Sequence, residues 1–293
     1  MTIAAIIAAV LVGTWNGNWF PSGRAEHRAH PDVEAATVKA VGVMLRESMD
    51  AIDPLGTNDI VLCLNEIRGP KMAEELCKAI GRTNLAVAAV SGYRRRDRFD
   101  QQQDVIMTSL PVAQAGWSLW KAEKGVRPPR GCAYALVVLE PAVTAAVYAV
   151  HLKSNYLAKS DAEKRSNMEK RRISAAQLVE IERPRRGHRS RPVIVAGDFN
   201  SDRWRAEFAG EPMFALLESA GFANALETLP PEKRGTHPNK RWGDSALDYI
   251  FTRGFSPCGI ARIFPSRSLS DHCPVFWLVG GGSDPIGGVR VVE

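Results

Sequence analysis

Six apolar runs in this chain each carry at one end a side chain able to bind a cation or move a proton; they span residues 10–16, 60–66, 147–151, 193–200, 247–251 and 270–277. Four of them put the polar group after the apolar stretch, at Asn16, Glu66, His151 and Asp198, and two put it first, at Asp248 and at Asp271-His272. Short runs rich in Val, Ile, Leu and aromatic residues, bounded by Gly, Pro, Asn and Ser, predict strands buried on both faces. A carboxylate just beyond such a run reaches water or a metal, whereas one in its middle needs a partner. A single Asp at a strand end also reads as a turn residue or a helix cap. Six polar ends in order, with this mixture of residue types, are hard to explain as turns.

The ordered set Trp15-Asn16-Gly17-Asn18, Asn65-Glu66, Gly197-Asp198-Phe199-Asn200, Leu247-Asp248-Tyr249-Ile250 and Ser270-Asp271-His272-Cys273-Pro274-Val275 resembles the endonuclease/exonuclease/phosphatase superfamily, the DNase I-like phosphodiesterases. The resemblance runs from Asn16 to His272, and each motif alone would be weak. It implies an α/β four-layer sandwich, two mixed β-sheets packed face to face and flanked by helices. Periodicity by itself gives only mixed α and β.

Hydrolysis of a phosphodiester needs an activated water, in-line geometry and neutralisation of charge on the phosphoryl and leaving oxygens. Hard divalent cations with oxygen ligands meet the last need. Glu66 is the first metal ligand expected, its structural alternative being a cap of the helix that starts near Pro70. By resemblance Asn16, Asp198, Asn200 and Asp271 supply further oxygens, with Asp198 and Asn200 also catalytic. An all-oxygen set favours Mg²⁺ or Mn²⁺ over zinc. His272 is the expected general base and Asp248 its orienting carboxylate: an imidazole near its ordinary pKa accepts a proton from water, and the Asp sets the tautomer. His151 stands where abasic-site nucleases of the superfamily usually have tyrosine and DNase I-like and sphingomyelinase-like members have histidine. Its implied role is donation at the phosphate or leaving oxygen, with Asn155 and Lys153 nearby and Asp97 or Asp100 as possible carboxylate partners. Arg130 occupies the place of a phosphate-contacting arginine, with an ordinary solvated arginine as the alternative. Tyr93 and Arg96, in a basic stretch with Phe99 at its far end, are expected to hold a nucleic-acid backbone or stack on a base from an exposed loop.

The chain has 293 residues, 45% of them hydrophobic, enough to bury a large core without disulfides. Because the candidate site is spread from 16 to 272, one domain over 1–280 with a loose tail over 281–293 is expected. The net charge of +6 and pI near 9.2 favour a polyanionic partner. Residues 161–191 hold ten Lys or Arg against five acids, which nearly accounts for the excess. The segment 183–191 reads as a solvated link that would widen a basic footprint if it faced the site. Five cysteines without Cys-x-x-Cys spacing argue against zinc. Cys63 and Cys132 read as buried hydrophobes, and Cys258 and Cys273 as the one possible pair. The apolar run 2–12 is too short to span a bilayer and its end is needed as the first strand, so a cytoplasmic protein is expected, with secretion or a periplasmic location if the run is a signal remnant.

Apolar spacing predicts helices over 32–49, 71–80, 161–182 and 211–220 and further strands over 85–90, 104–108, 117–120 and 133–138. Residues 93–103 and 228–243 read as polar loops. The resulting expectation is a divalent-metal-dependent phosphodiesterase, a nuclease acting on DNA or RNA as a monomer without membrane insertion. A phosphoesterase for lipid or small phosphorylated substrates is the second reading, and a non-catalytic polyanion binder the third. The retained histidines and carboxylates argue against a mere binder.

Overall fold

A computed structural model describes residues 9–23, 29–95, 98–183, 191–240 and 243–281. The chain runs β1 (Val10–Phe20), α1 (Pro31–Asp50), β2 (Asp59–Ile67), α2 (Pro70–Ile80) and β3 (Ala86–Val90). A small hairpin of β4 (Arg94–Arg95) and β5 (Arg98–Phe99) leads to β6 (Gln103–Thr108), β7 (Val112–Leu119), β8 (Gly131–Glu140) and β9 (Val143–His151). Next come α3 (Asp161–Ile181), β10 (Val193–Asp198), α4 (Pro212–Ser219), β11 (Ala223–Asn224), β12 (Asp248–Arg253), β13 (Phe255–Pro257), β14 (Arg262–Ile263) and β15 (Val275–Gly281).

These strands build two mixed sheets. One has the order β13-β15-β1-β2-β6-β3, with β14 on β15, and the other the order β11-β12-β10-β9-β8-β7. Each sheet has a single parallel pair, β1 with β2 and β9 with β10, and the remaining pairings are antiparallel. Strands of a parallel pair end at the same edge of a sheet. That is why Asn16, Glu66, His151 and Asp198, separated by up to 182 residues, arrive at one rim.

Alternation along β1 and β2 explains why the first sheet is buried on both faces. Val10, Val12, Val61 and Cys63 face the second sheet, packing with Ala133, Val147 and Val195. Leu11, Leu62 and Leu64 face the other way, onto Val41, Leu45 and Leu76 of α1 and α2. On the outside of the second sheet, Phe214 of α4 packs on Tyr249 and Phe251 with ring centroids 5.2 and 6.4 Å apart. Side chains of this size each contribute roughly 1.5–3 kcal/mol when fully buried. The result is the α/β sandwich expected, with the four α-helices of the described residues outside two facing sheets.

Two segments and one cysteine pair differ from the sequence expectation. The strand expected over 117–120 extends over Val112–Leu119; it is an almost wholly exposed edge strand, so it carries no buried period to read. Residues 93–103, expected as an exposed loop, begin and end with buried side chains, since Gln103 Nε2 donates to Tyr93 O (3.1 Å) and its Oε1 accepts from Tyr93 N (2.9 Å). All five cysteines are free, with Cys273 buried and Cys258 exposed, so the pair considered above does not form. Residues 1–8, 184–190 and 282–293 lie outside the described residues, and with them most of the 183–191 run and the expected tail. Among the described residues no helix is long and apolar enough to cross a membrane.

Candidate active site

Sheet register places the central groups. On adjacent strands of the second sheet His151, Asp198 and Asp248 stand abreast. This needs a close approach at the preceding residue: a Cβ on Gly197, whose φ is +149°, would sit 1.9 Å from Val150 O, so only glycine fits there. On the first sheet Asn16 stands abreast of Asn65, with Glu66 next. Asn65 joins the sheets: its Nδ2 donates to Val150 O (3.0 Å) and Asp104 Oδ1 (2.8 Å), and its Oδ1 accepts from Asp198 N (2.9 Å). Glu66, Asn200 and Arg130 all adopt left-handed backbone, with φ of 59°, 54° and 60°. Such conformations are costly for non-glycine residues and persist where the surroundings impose them.

Two buried carboxylates face one imidazole. His151 Nε2 lies 3.7 Å from Glu66 Oε1 and 3.6 Å from Asp198 Oδ2. Asp198 Oδ2 accepts from Asn16 Nδ2 (2.9 Å) and Asn200 Nδ2 (2.8 Å), and its Oδ1 accepts from Asn200 N (2.8 Å). Even so, burial pushes its pKa up to about 7, against the lowering effect of His272 and these donors. Glu66 Oε2 accepts from Trp19 N (2.9 Å). Glu66 is thus a bidentate-capable carboxylate held by backbone, not a helix cap.

Asn16 departs from its expected role. Its Oδ1 accepts from Asn18 N (2.9 Å), and since a backbone N–H only donates, the nitrogen must be the atom facing Asp198 and, at 3.5 Å, Glu66 Oε1. Asn16 therefore turns its nitrogen to the carboxylates, while its oxygen accepts from the Asn18 backbone. Asn200 likewise spends its nitrogen on Asp198 and on Leu152 O (3.3 Å), which leaves its oxygen for a cation or substrate.

The second histidine is held differently. His272 Nδ1 pairs with Asp248 Oδ2 at 2.8 Å, and the same oxygen accepts from Thr236 Oγ1 at 2.8 Å. His272 Nε2 lies 4.0 Å from Asp198 Oδ2. Burial alone would lower the imidazole's pKa, but the Asp248, Asp198 and Asp271 carboxylates outweigh it and push it up to about 10. The carboxylates around His272 thus displace its pKa upward from the near-neutral value expected. Ser270 ties this segment to β1, donating to Asn16 O (2.7 Å) and accepting from His272 N (3.0 Å).

Asp271 lies on the outer flank of His272, its Oδ2 3.6 Å from His237 Nε2. Burial opposes ionisation there, but the His237 hydrogen bond and the His272 charge hold the carboxyl below its ordinary range. Among the described residues, acid and histidine groups close enough to share an ion are Asp198-Asp248-His272 and His237-Asp271-His272. In both, His272 Nδ1 is taken by Asp248 at 2.8 Å, which leaves only its Nε2 for an ion. Glu66 and Asp198 form the better-fitting donor set for a hard divalent ion: both carboxylates lie within 3.5 Å of one Asn16 nitrogen, and all the donors offered are oxygen.

The expected substrate contacts fare unevenly. Tyr93 is buried, its hydroxyl donating to Asp104 Oδ2 (2.8 Å) and its ring edge-on to Trp117, so it cannot stack on a base. Arg96 and Asp97 lie outside the described residues. Asp100 accepts from Gln102 N (3.1 Å), and among the described residues His151 Nδ1 has no hydrogen-bond partner, so Asp100 does not support it there. Arg130 donates to His151 O, Leu152 O (both 3.1 Å) and Gln102 Oε1 (3.1 Å), so it is not an ordinary solvated arginine; these bonds use three of its five N–H donors. Asn155 is half-buried beside Arg171, four residues beyond His151.

Sequence reasoning missed Asp104, Thr236, His237 and the structural part of Asn65. Thr236 and His237 sit in the stretch 228–243 that reads only as polar, so no periodic signal marks them. Asp104 is fully buried with its pKa pushed up to about 7 by that burial. Its place at the start of an apolar run was a usable signal, the same as Asp248.

Residues 13–272 match the Endonuclease/Exonuclease/phosphatase family. Among curated proteins none matches the chain. Similar solved structures include an endonuclease/exonuclease/phosphatase from Beutenbergia cavernae (17% identity, TM-score 0.63, covering 96% of this chain and 73% of that one). A family protein from Leptotrichia buccalis is 13% identical, with TM-score 0.61 and coverage of 92% and 99%. The D. rerio TDP2 structure, complexed with single strand DNA product, is 14% identical, with TM-score 0.57 and coverage of 92% and 98%. These likenesses concern the fold.

Proposed function

Because the chain belongs to the endonuclease/exonuclease/phosphatase family, whose members are phosphoester hydrolases generally dependent on divalent metal, we propose that it is a divalent-metal-dependent phosphodiesterase acting on nucleic acid. The observation that carries this reading is the convergence on one rim of a histidine–carboxylate pair and a second, separately held histidine flanked by two carboxylates.

The roles follow from the geometry. Glu66 and Asp198, with the Asn200 oxygen, would hold the cation, for which Mg²⁺ or Mn²⁺ suits the donors. When bound, the cation supplies neutralisation of charge on the phosphoryl oxygens and offsets the negative field that raises the His272 pKa. Neutral His272 takes a proton from the attacking water through Nε2, while Asp248 holds Nδ1–H and stabilises the imidazolium that forms. Water oxygen bonds to phosphorus as the ester bond to the leaving oxygen breaks. His151 is kept neutral chiefly by burial, with Arg130 and His272 adding to the effect; it serves as an Nε2–H donor to a phosphoryl or leaving oxygen. Asn155 supplies a second donor there.

Nucleic acid is favoured by the net positive charge and by the likeness to a fold that in D. rerio TDP2 is seen with single strand DNA product. Basicity counts for less than the sequence suggests, since in 161–183 Lys164, Arg171, Arg172 and Arg183 are paired with acids. A phosphoesterase for small or lipid substrates is the second reading, and the exposed Tyr156 and Leu157 beside Asn155 suit it as well as they suit a base. The deciding experiment is cleavage of a labelled plasmid and a single-stranded oligonucleotide in Mg²⁺, Mn²⁺ or EDTA, with His272→Ala alongside. Metal-dependent cutting lost in the variant supports the nuclease reading. No cutting in any metal, with turnover of a small phosphodiester, moves the assignment to the second.

A further inference from the structure

We propose that the buried ion pair between Arg171 and Glu211 is a positioning device that aims the Asn155 amide at the substrate phosphate. The inference rests on the phosphodiesterase reading above and names a pair of residues that reading does not use.

Arg171 belongs to the segment whose composition suggests a solvated positive surface, yet it is among the largest fully buried side chains described. Its Nε and Nη2 donate to the two oxygens of Glu211 at 3.0 and 2.8 Å. Its Nη1 donates to Lys153 O (2.6 Å) and to Asn155 Oδ1 (3.4 Å). Glu211 Oε2 also accepts from Ser201 Oγ at 3.2 Å. The pair therefore links the loop that leaves His151, residues 152–155, to the loop that leaves Asp198, residues 199–201. These two loops meet again where Asn200 Nδ2 reaches Leu152 O.

Stability alone is a weak reason for such a pair, because buried ion pairs often gain nothing over apolar residues of similar volume. Geometry is the stronger reason. A guanidinium only donates, so the Asn155 atom facing Arg171 is the oxygen, and the Nδ2 group is left as the donor for a phosphoryl oxygen. The planar fork holds Glu211 through two nitrogens while the third spans Lys153 O and Asn155; a lysine keeps the charge but cannot hold that arrangement.

The test is steady-state cleavage of a single-stranded oligonucleotide in Mg²⁺ by wild type, Arg171→Lys, Asn155→Ala and the double variant, with melting temperatures and calorimetric binding of inorganic phosphate. Arg171→Lys is expected to lower kcat about tenfold or more with KM within about threefold, and the double variant to be no slower than Asn155→Ala alone, since residues acting as one unit are non-additive. An apolar exchange, Arg171→Met with Glu211→Leu, is expected to keep the melting temperature and lose the same kcat. Losses that multiply in the double variant, or full kcat in the apolar exchange, overturn the proposal. If wild type cleaves no diester, the functional reading falls, and the pair is judged on phosphate binding. There Arg171→Lys is expected to weaken affinity about tenfold, but not further in the Asn155→Ala background. Affinity unchanged by Arg171→Lys, or no phosphate binding by wild type, overturns it.

Discussion

His272 and His151 lie 4.0 and 3.6 Å from the same Asp198 carboxylate oxygen, yet their surroundings push their pKa values in opposite directions. His272 has a carboxylate on its Nδ1, and that carboxylate is anchored by Thr236. His151 Nδ1 is buried and has no hydrogen-bond partner among the described residues. Accordingly the first imidazole is pushed up to about 10, and the second is held well below the usual histidine range by burial and by Arg130. Depth is similar for both: at His151 burial prevails, whereas at His272 the carboxylates, Asp248 foremost, outweigh it. On the proposed reading, one histidine carries a proton and the other offers a hydrogen bond.

The largest test of this contrast removes the proton carrier. His272→Ala is expected to lower kcat by roughly 10²- to 10⁴-fold, and Asp248→Asn to follow within that range because the amide disturbs the tautomer. Equal activity in either variant, measured as initial diester cleavage rates, would remove His272 as the base.

A sharper test compares substitutions at the two positions. If His151 acts as a neutral donor, His151→Asn should retain about tenfold more kcat than His151→Ala, whereas His272→Asn should do no better than His272→Ala; one good donor is worth on the order of 10² in rate at such sites. Indistinguishable Asn and Ala variants at 151 would mean that proton transfer, not hydrogen-bond donation, is the missing function.

Without metal, the contrast also predicts how stability changes with pH. The folded His272 pKa is raised above its unfolded value, so its contribution is fully present below about pH 6.5 and is lost as pH rises through about 10. Asp198, pushed up to about 7, acts with the same sign lower down, costing stability as pH rises from about 4 to 7. Urea midpoints in EDTA should therefore fall from acid to alkaline pH, and Asp248→Asn should flatten the decline above pH 6.5. A midpoint rising across that upper window would contradict the assigned charge of His272.

The smallest effect is expected at Tyr93. Removing the hydroxyl in Tyr93→Phe leaves Asp104 with one partner fewer and should cost about 1–2 kcal/mol of stability. Turnover and KM should stay within about threefold, because the ring is buried away from substrate. A large rise in KM at full stability would restore it as a substrate contact.

The sequence by itself determined the strand pattern and the identities of the groups at the strand ends. Apolar runs such as Val193 to Gly197 have too few alternatives to be anything but buried strands, and Glu66, Asp198, Asp248 and His272 were legible because each interrupts or borders such a run. Segments without a buried period stayed illegible: the exposed edge at Val112–Leu119, and Thr236 and His237 in a polar stretch. Only the tertiary structure decided which atom each polar group presents. Asn16 turned out to face the carboxylates with nitrogen, Arg130 to serve carbonyl oxygens, Tyr93 to sit in the interior, and Arg171 to be a buried partner of Glu211. The physical reason is that residue type sets what a side chain can donate or accept. Which partner lies within about 3 Å depends on strands brought together from far along the chain.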